Sequence, residues 1–470
     1  RCRGRALLVM PALLQHTSAP PAHRSYADLT SAEVEEIGRT LDALREEVLV
    51  SRGAADAAYI RRLIAVRTAL EVGGRVVLLF SRRRTAWWLG TTSLALAKVL
   101  DNMEIGHNVL HGQWDWMNDP HIHSSTWDWD TASTSEAWKH SHNYIHHTYT
   151  NIRGKDKDLG YEIMRIDPHQ RWHPVYLFQP LYNLVLMAFF EWGVAVHDLD
   201  IEAIRSGEKS KAQLKKELKG IWGKARLQIA KDYIAWPLMS ALANAAVEAA
   251  LAARAPRSRK ERMRSRARGA LARARRRGRG RELVGRIATL AFEGGRQSFK
   301  ATLWANFTAN IVRNLWSHAI IFCGHFPDQT YTFSQEEVED ESRGAWYVRQ
   351  LVGAANIEGG PLFHVISGNL GYQVEHHLFP DMPSTRYAEI APRVKEICER
   401  YGLPYNSGPF LQQWGMVQRT ILRLALPGGV PRPKPGPYQG DEGTVDASSN
   451  GHAADADGRP RDREAVAGAR

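Results

Sequence analysis

Cysteine is nearly missing: three occur in 470 residues, at positions 2, 323 and 398. None belongs to a CxxC pair, which excludes a disulfide framework, a zinc ribbon, a rubredoxin-like site and a fused ferredoxin. The chain also lacks an internal repeat, a GxGxxG turn and a Walker loop. Long apolar runs are scarce enough that the mean hydropathy is −0.38, low for a polytopic membrane protein. That mean mixes apolar segments with very polar tails. An excess of acid is absent too, the net charge being +12. Residues Arg254–Glu282 hold 14 Lys/Arg and two Glu, which accounts for the whole surplus. The basicity is local, so a nucleic-acid partner is not expected.

Residues 1–27 read as a disordered tail. Arg1, Arg3 and Arg5 before Ala6–Met10 imitate a signal peptide, but the apolar run is short and Pro11 interrupts it. Residues 28–64 read as a helical lead-in, opened by a capping-box pattern at Ser31 with Glu33 and Glu35. Apolar segments follow at 65–81 and 86–103, parted by Ser81–Thr85, then at 174–196, 233–253 and 299–323. Each is near the roughly 20 residues a helix needs to span a bilayer. The stretch 198–232 is charged and has no apolar face long enough to cross. An Arg-rich low-complexity insert occupies 254–296, and 427–470 reads as a second disordered tail.

Histidine is the residue in excess. Eight fall between His107 and His147, at 107, 111, 121, 123, 140, 142, 146 and 147, and a second group comprises His318, His325, His364, His376 and His377. Clustered imidazoles point to metal ligation. His107 and His111 lie one helical turn apart on one face, where an apolar helix ends. His142, His146 and His147 repeat the spacing and add a neighbour about 100° around the helix. His376 and His377 form a second doublet behind Gln373. Adjacent imidazoles reach different ions more easily than the same one, so two doublets suit a two-metal centre. Eight or more imidazoles also exceed the four ligands usual for zinc. HNVLH differs from the HExxH protease helix because Asn108 stands where the catalytic Glu belongs. Glu104–His107 is an ExxH without a second copy or supporting glutamates, so a carboxylate di-iron bundle is a weak match. His16, His23 and His452 lie in the tails; His121, His123, His169 and His173 suit surface or loop hydrogen bonding. His140 is open between a supporting role and none.

The three boxes, HxxxH, HxxxHH and QxxHH in that order, resemble those of the membrane fatty acid desaturases. EIGHNVLHGQWDWMNDP, HSHNYIHHTYTNIRGKDKDLGY and GNLGYQVEHHLFPDMPSTRY are similar to the actinobacterial acyl-CoA/acyl-lipid type, related to front-end desaturases, from about Val72 to Tyr401 apart from the insert. The resemblance implies an all-α integral membrane helical bundle of about four spans, with a cytosolic His-rich di-iron domain inside a desaturase domain at 65–426. It implies that His107, His111, His142, His146, His147, His376 and His377 bind two irons, with Gln373 where other desaturases have His. A further histidine completes such sets, and either His318 or His325 fits. No catalytic residue beyond the ligands is implied.

The implied activity is O2-dependent desaturation of a fatty acyl chain, acyl-CoA or acyl-lipid. The runner-up is hydroxylation by the same oxidant, and a His-ligated zinc membrane protein, receptor-like or an amide hydrolase, is the rival class. Attack on an unactivated C–H needs O2 and two electrons, with imidazole a good ligand for Fe(II), and a dry slot that holds the chain in place. Trp114, Trp116, Trp127, Trp129 and Trp138 are candidates to pack around that slot. No HPGG haem element or flavin domain is present, so electrons come from a separate ferredoxin, cytochrome or flavoprotein reductase. The expected location is multi-pass in the membrane, the plasma membrane if bacterial, with the active site facing the cytoplasm. All three boxes must then share one side, which requires an even number of spans between boxes two and three. Segment 174–196 is the one expected to lie in the interface without crossing. The arginine-rich turns at 82–84 and 254–296 then fall outside, against the usual charge bias.

Overall fold

The computed structural model describes residues 29–254, 272–328 and 330–429; the expected tail at 1–27 lies outside these, as does all of the expected tail at 427–470 beyond residue 429. Helix α1 (Ser31–Val50) starts at Thr30, whose hydroxyl accepts from the Glu33 amide while the Glu33 carboxylate accepts from Thr30. The capping box is therefore real but sits one residue earlier than the expected Ser31. Val34, Ile37, Leu41, Leu44 and Val48 form its buried face, a 3–4 spacing that lets one helix side meet the core.

The expected hairpin is α2 (Ala54–Leu78) and α3 (Arg84–Leu100). Helix α2 runs unbroken across residue 64, so the lead-in and the first apolar segment share one helix. The two helices pack closely at glycines: a Cβ on Gly74 would lie 3.1 Å from the Gly90 carbonyl oxygen. Segment 174–196 is not one helix. It holds a short 3-10 turn, then α4 (Gln179–Ala188) and α5 (Phe190–His197), broken where Phe189 leaves helical geometry (φ −119°, ψ 34°). At 1.5 Å per residue, pieces of 10 and 8 residues reach about 15 and 12 Å, half of a bilayer core or less.

Helix α6 (Lys211–Ile229) passes through a π turn at Ala230–Ala235 into α7 (Trp236–Arg254). Helix α8 (Ala272–His325) is 54 residues long and takes in residues 272–296 of the Arg-rich insert, while 255–271 lies outside the described residues. Helices α2, α3, α7 and α8 pack side by side. Near one end Ser240 and Thr302 donate to the Leu78 carbonyl, at 3.1 and 3.2 Å. Near the other, Asp232 is fully buried and accepts from Arg75 at 2.7 Å and Lys98 at 2.9 Å, while Arg75 also donates to Asn306. The outward faces carry exposed Val72, Val76, Trp88, Leu89, Leu238 and Leu242, a surface suited to lipid rather than water. By length and hydropathy, one helix among the described residues, Lys211–Leu251, qualifies as a membrane span.

After α8 come α9 (Arg343–Gly353), α10 (Gln373–Leu378), α11 (Tyr387–Tyr401) and α12 (Phe410–Leu424). Helices α1, α9, α10 and α11 enclose one apolar core that includes Leu41, Leu351, Val374 and Val394. A pure all-α description needs one correction. Asn356–Glu358 (β1) and Ser407–Pro409 (β2) form a two-stranded parallel pair, short enough to escape any period-2 pattern.

Candidate metal centre

The first box begins on the last residue of a π turn, Asp101–His107, and most of the second lies on another, Lys139–His146, a wide helical turn that often marks functional sites. The first continues α3 out of the bundle. Box three is α10. These segments bring the predicted histidines together in two groups. His107, His111, His142 and His376 offer nitrogens within 4.8 Å of one another, and His146, His325 and His377 do the same. The His376–His377 doublet is thus divided between the groups. His147 lies between them, its ring 4.8 Å from His376 and 4.7 Å from His377.

The hydrogen bonds explain the orientation. Nδ1 of His107 pairs with Asn108 Oδ1 (3.0 Å), of His142 with Asp158 (3.2 Å), of His146 with Asp156 (3.0 Å), of His376 with the Tyr387 hydroxyl (3.2 Å) and of His377 with Thr150 (3.4 Å). With Nδ1 engaged, Nε2 is the free ligand, as in carboxylate–histidine–metal arrangements. Nε2 of His111, His142, His146, His147, His376 and His377 is buried without a hydrogen-bond partner. A buried polar atom left so costs about 1–3 kcal/mol, and so many converging atoms fit metal ions. Burial pushes His107 down to about 3 and holds His111, His147, His325, His376 and His377 well below the usual imidazole range. They are neutral at pH 7, the form that binds metal. His146 is the exception: burial lowers it, but the Asp156 and Asp158 carboxylates outweigh that and raise it to about 9.

The two later histidines sit in different surroundings. His325, the last residue of α8, lies 4.9 Å ring to ring from both His146 and His377, and Gln373 Nε2 donates to its Nε2 at 3.1 Å. His318 is two turns back, stacked on Phe322 at 3.7 Å with Nε2 bonded to Asn183 at 3.0 Å. It belongs to neither group. Gln373 is at the edge of the second group, its Oε1 buried and unpartnered. Glu104 is no ligand candidate either: its carboxylate accepts from Tyr59, Ser384, Asn369 and Asn108. His140 stacks on exposed Tyr144, and His169 on its loop bonds Asp167.

Sequence reasoning missed Asp156 and Asp158. Asp156 receives His146 and also the Asn151 amide at 2.7 Å; Asp158 bridges His142 and His197, the latter at 2.9 Å. The available signal was the pair of alternating carboxylates in KDKD, just after box two. We expect Asp156→Asn to weaken metal affinity about 10–100-fold, measured as iron retained during titration with a chelator. Affinity within twofold of the parent would remove Asp156 from this role.

Beside the groups runs a slot whose walls include Trp129, Trp138, Phe190, Val194, Ile321 and Phe326, and which His107, His142 and His325 face. Trp138 stacks on His142 at 4.6 Å. Trp114 is instead buried against Tyr59, away from the slot.

A family profile described as fatty acid desaturase matches residues 232–409. The chain is 43% identical over 402 residues to the NADPH-dependent stearoyl-CoA 9-desaturase of Mycobacterium tuberculosis, covering 86% of this chain and 82% of that one. It is 23% identical to the sn-1 linoleoyl-lipid 6-desaturase of Synechocystis, over 68% of this chain and 75% of the relative. Human fatty acid desaturase 3 is 37% identical over 24% of each chain. No solved structure matches.

Proposed function

This chain belongs to the membrane fatty acid desaturase family, and we propose that it desaturates a long-chain acyl-CoA by means of two irons held in the two histidine groups. The enzyme is an oxidoreductase that introduces a double bond into a fatty acyl chain; the hydroxylase and zinc readings are not favoured. The observation that carries the di-iron reading is the convergence of buried, unpartnered Nε2 atoms from three distant boxes. We assign one ion to His107, His111, His142 and His376, and the other to His146, His325 and His377. His147 lies within reach of both, and Gln373 borders the second. Eight imidazoles suit two Fe(II) ions better than a single four-coordinate zinc.

Bound iron supplies the O2 activation and one-electron chemistry that no side chain can. The protein's own part is placement. Trp129, Trp138, Phe190 and Phe326 exclude water from the slot and hold the alkyl chain beside His107 and His142. The reaction also consumes two protons per O2. Asp198 faces this slot with its carboxylate hydrogen-bonded by Ser133 and Ser141, and burial raises it to about 6, so it holds a proton in a fraction of molecules near neutrality.

The acyl-CoA substrate follows the mycobacterial relative, whose name also points to NADPH as the ultimate reductant, delivered here through a separate electron carrier. We read 65–426 as the desaturase domain, 28–64 as its lead-in, and α2, α3, α7 and α8 as four spans. Because α4 and α5 are too short to cross, two spans separate boxes two and three, leaving all three on one side, the cytoplasmic one. Expression in a desaturase-deficient host, with fatty acid profiling by mass, tests the activity. A product 2 Da lighter than its precursor and about two iron per chain are expected; a gain of 16 Da or one zinc per chain would overturn the proposal.

A further inference from the structure

The continuous helix Lys211–Leu251 has 41 residues and is about 62 Å long. A bilayer with both headgroup layers takes up about 40–45 Å. The far end is fixed by the ion pair of Arg82 with Glu248, beside the α2–α3 turn. The excess, about 17 Å or more, therefore emerges on the histidine side. Trp222, 64% exposed, then lies at headgroup depth. Beyond it stand exposed Lys211, Lys215, Lys216 and Lys219, with Lys211, Lys215 and Lys219 on one face at four-residue spacing. The one acid among them, Glu217, is paired with Lys209 at 2.9 Å. Lys211, Lys215 and Lys219 stand about 15, 9 and 3 Å past the headgroups by helical rise, the first two beyond the Debye length of about 8 Å. Anionic lipid does not account for those two; a soluble acidic surface accounts for the whole stripe.

The stripe is mounted on the catalytic part. Lys224 donates to the Trp129 carbonyl at 2.6 Å, and Lys216 pairs with Glu136 at 3.1 Å. The segment thus held carries Trp129 and Trp138, rings 4.9 Å apart, and Trp138 lies 5.4 Å from the rings of both His107 and His111. One aromatic layer links the underside of α6 to the histidines.

Resting on the desaturase reading above, we propose that Lys211, Lys215 and Lys219 are the docking face for an acidic, soluble one-electron carrier protein. In each turnover two reduced carriers each lose one electron. Those two electrons, two protons and the two hydrogens removed from the acyl chain convert one O2 to two waters, and the chain gains its double bond. Opposite charge at such a face raises the encounter rate and makes it salt-dependent.

The test uses the full-length iron-loaded enzyme in neutral phosphatidylcholine nanodiscs, with Lys211→Glu/Lys215→Glu/Lys219→Glu as the variant and a plant-type [2Fe–2S] ferredoxin as the probe. Oxidised ferredoxin is expected to bind the variant at least tenfold more weakly, and added salt to weaken binding only to the parent. Anaerobic reduction of the centre by dithionite is expected to be equal in both, and reduction by ferredoxin slower in the variant. Unchanged ferredoxin binding, or an equal loss with dithionite, would overturn the proposal. A raised KM for stearoyl-CoA with unchanged ferredoxin binding would assign the stripe to the CoA phosphates instead. If dithionite reduces nothing in the parent, the iron reading fails, whereas the binding comparison still decides the docking face. Should the charge-reversed protein not fold, the Lys→Gln triple variant is judged by the same criteria.

Discussion

Replacing His146 with alanine is expected to abolish desaturation and strip iron from the protein, a loss beyond the 10–100-fold typical of residues that only support a ligand. His146 is buried, fixed through Nδ1 by Asp156, and turns an unpartnered Nε2 toward His325 and His377. Iron per chain by elemental analysis and the fatty acid profile of an expressing host check the result, with gel filtration confirming the fold. His318→Ala is the matched control: bonded to Asn183 and stacked on Phe322, it should leave the iron content unchanged. His325→Ala should behave like His146→Ala. Iron retained in His146→Ala, or lost in His318→Ala, would rearrange the ligand set.

The largest effect on stability is expected at Asp232. Its carboxylate is fully buried between Arg75 of α2 and Lys98 of α3, and Asn310 of α8 also lies 3.5 Å away. Asp232→Ala would leave two buried cations without their shared partner, a change that costs about 3–5 kcal/mol. Thermal unfolding in detergent, followed by tryptophan fluorescence, reports it as a drop in Tm together with loss of the folded peak on gel filtration. An unchanged Tm would mean that packing alone sets the helix register there. Asp232→Asn, which keeps the volume and some hydrogen bonding, should be milder.

Much of this was legible in the sequence, for physical reasons that differ by element. The histidine boxes announced themselves because helical spacing puts imidazoles on one face, a local property. The bundle helices were legible because each carries an apolar run, although among the described residues one helix, Lys211–Leu251, qualifies as a span by length and hydropathy. What sequence could not show is pairing across distance. The Asp156–His146 bond depends on a loop doubling back, and the Glu104 carboxylate is claimed by Tyr59, Ser384 and Asn369 from three remote segments. The break at Phe189 was hidden because 174–196 keeps an unbroken apolar composition across it. His318 and His325 were both open candidates because both follow an apolar span on the same helix. They are seven residues apart, so they share a face but differ by about 10 Å in height, and only the lower one reaches the groups.

The π turn at Asp101–His107 amounts to an ordinary helix with one surplus residue. His107 closes that turn, so removing one residue before it would re-lay the wide turn as a regular one and change the direction in which the His107 side chain leaves the helix. The aim of His107 is thus written into a local irregularity of an otherwise ordinary helix.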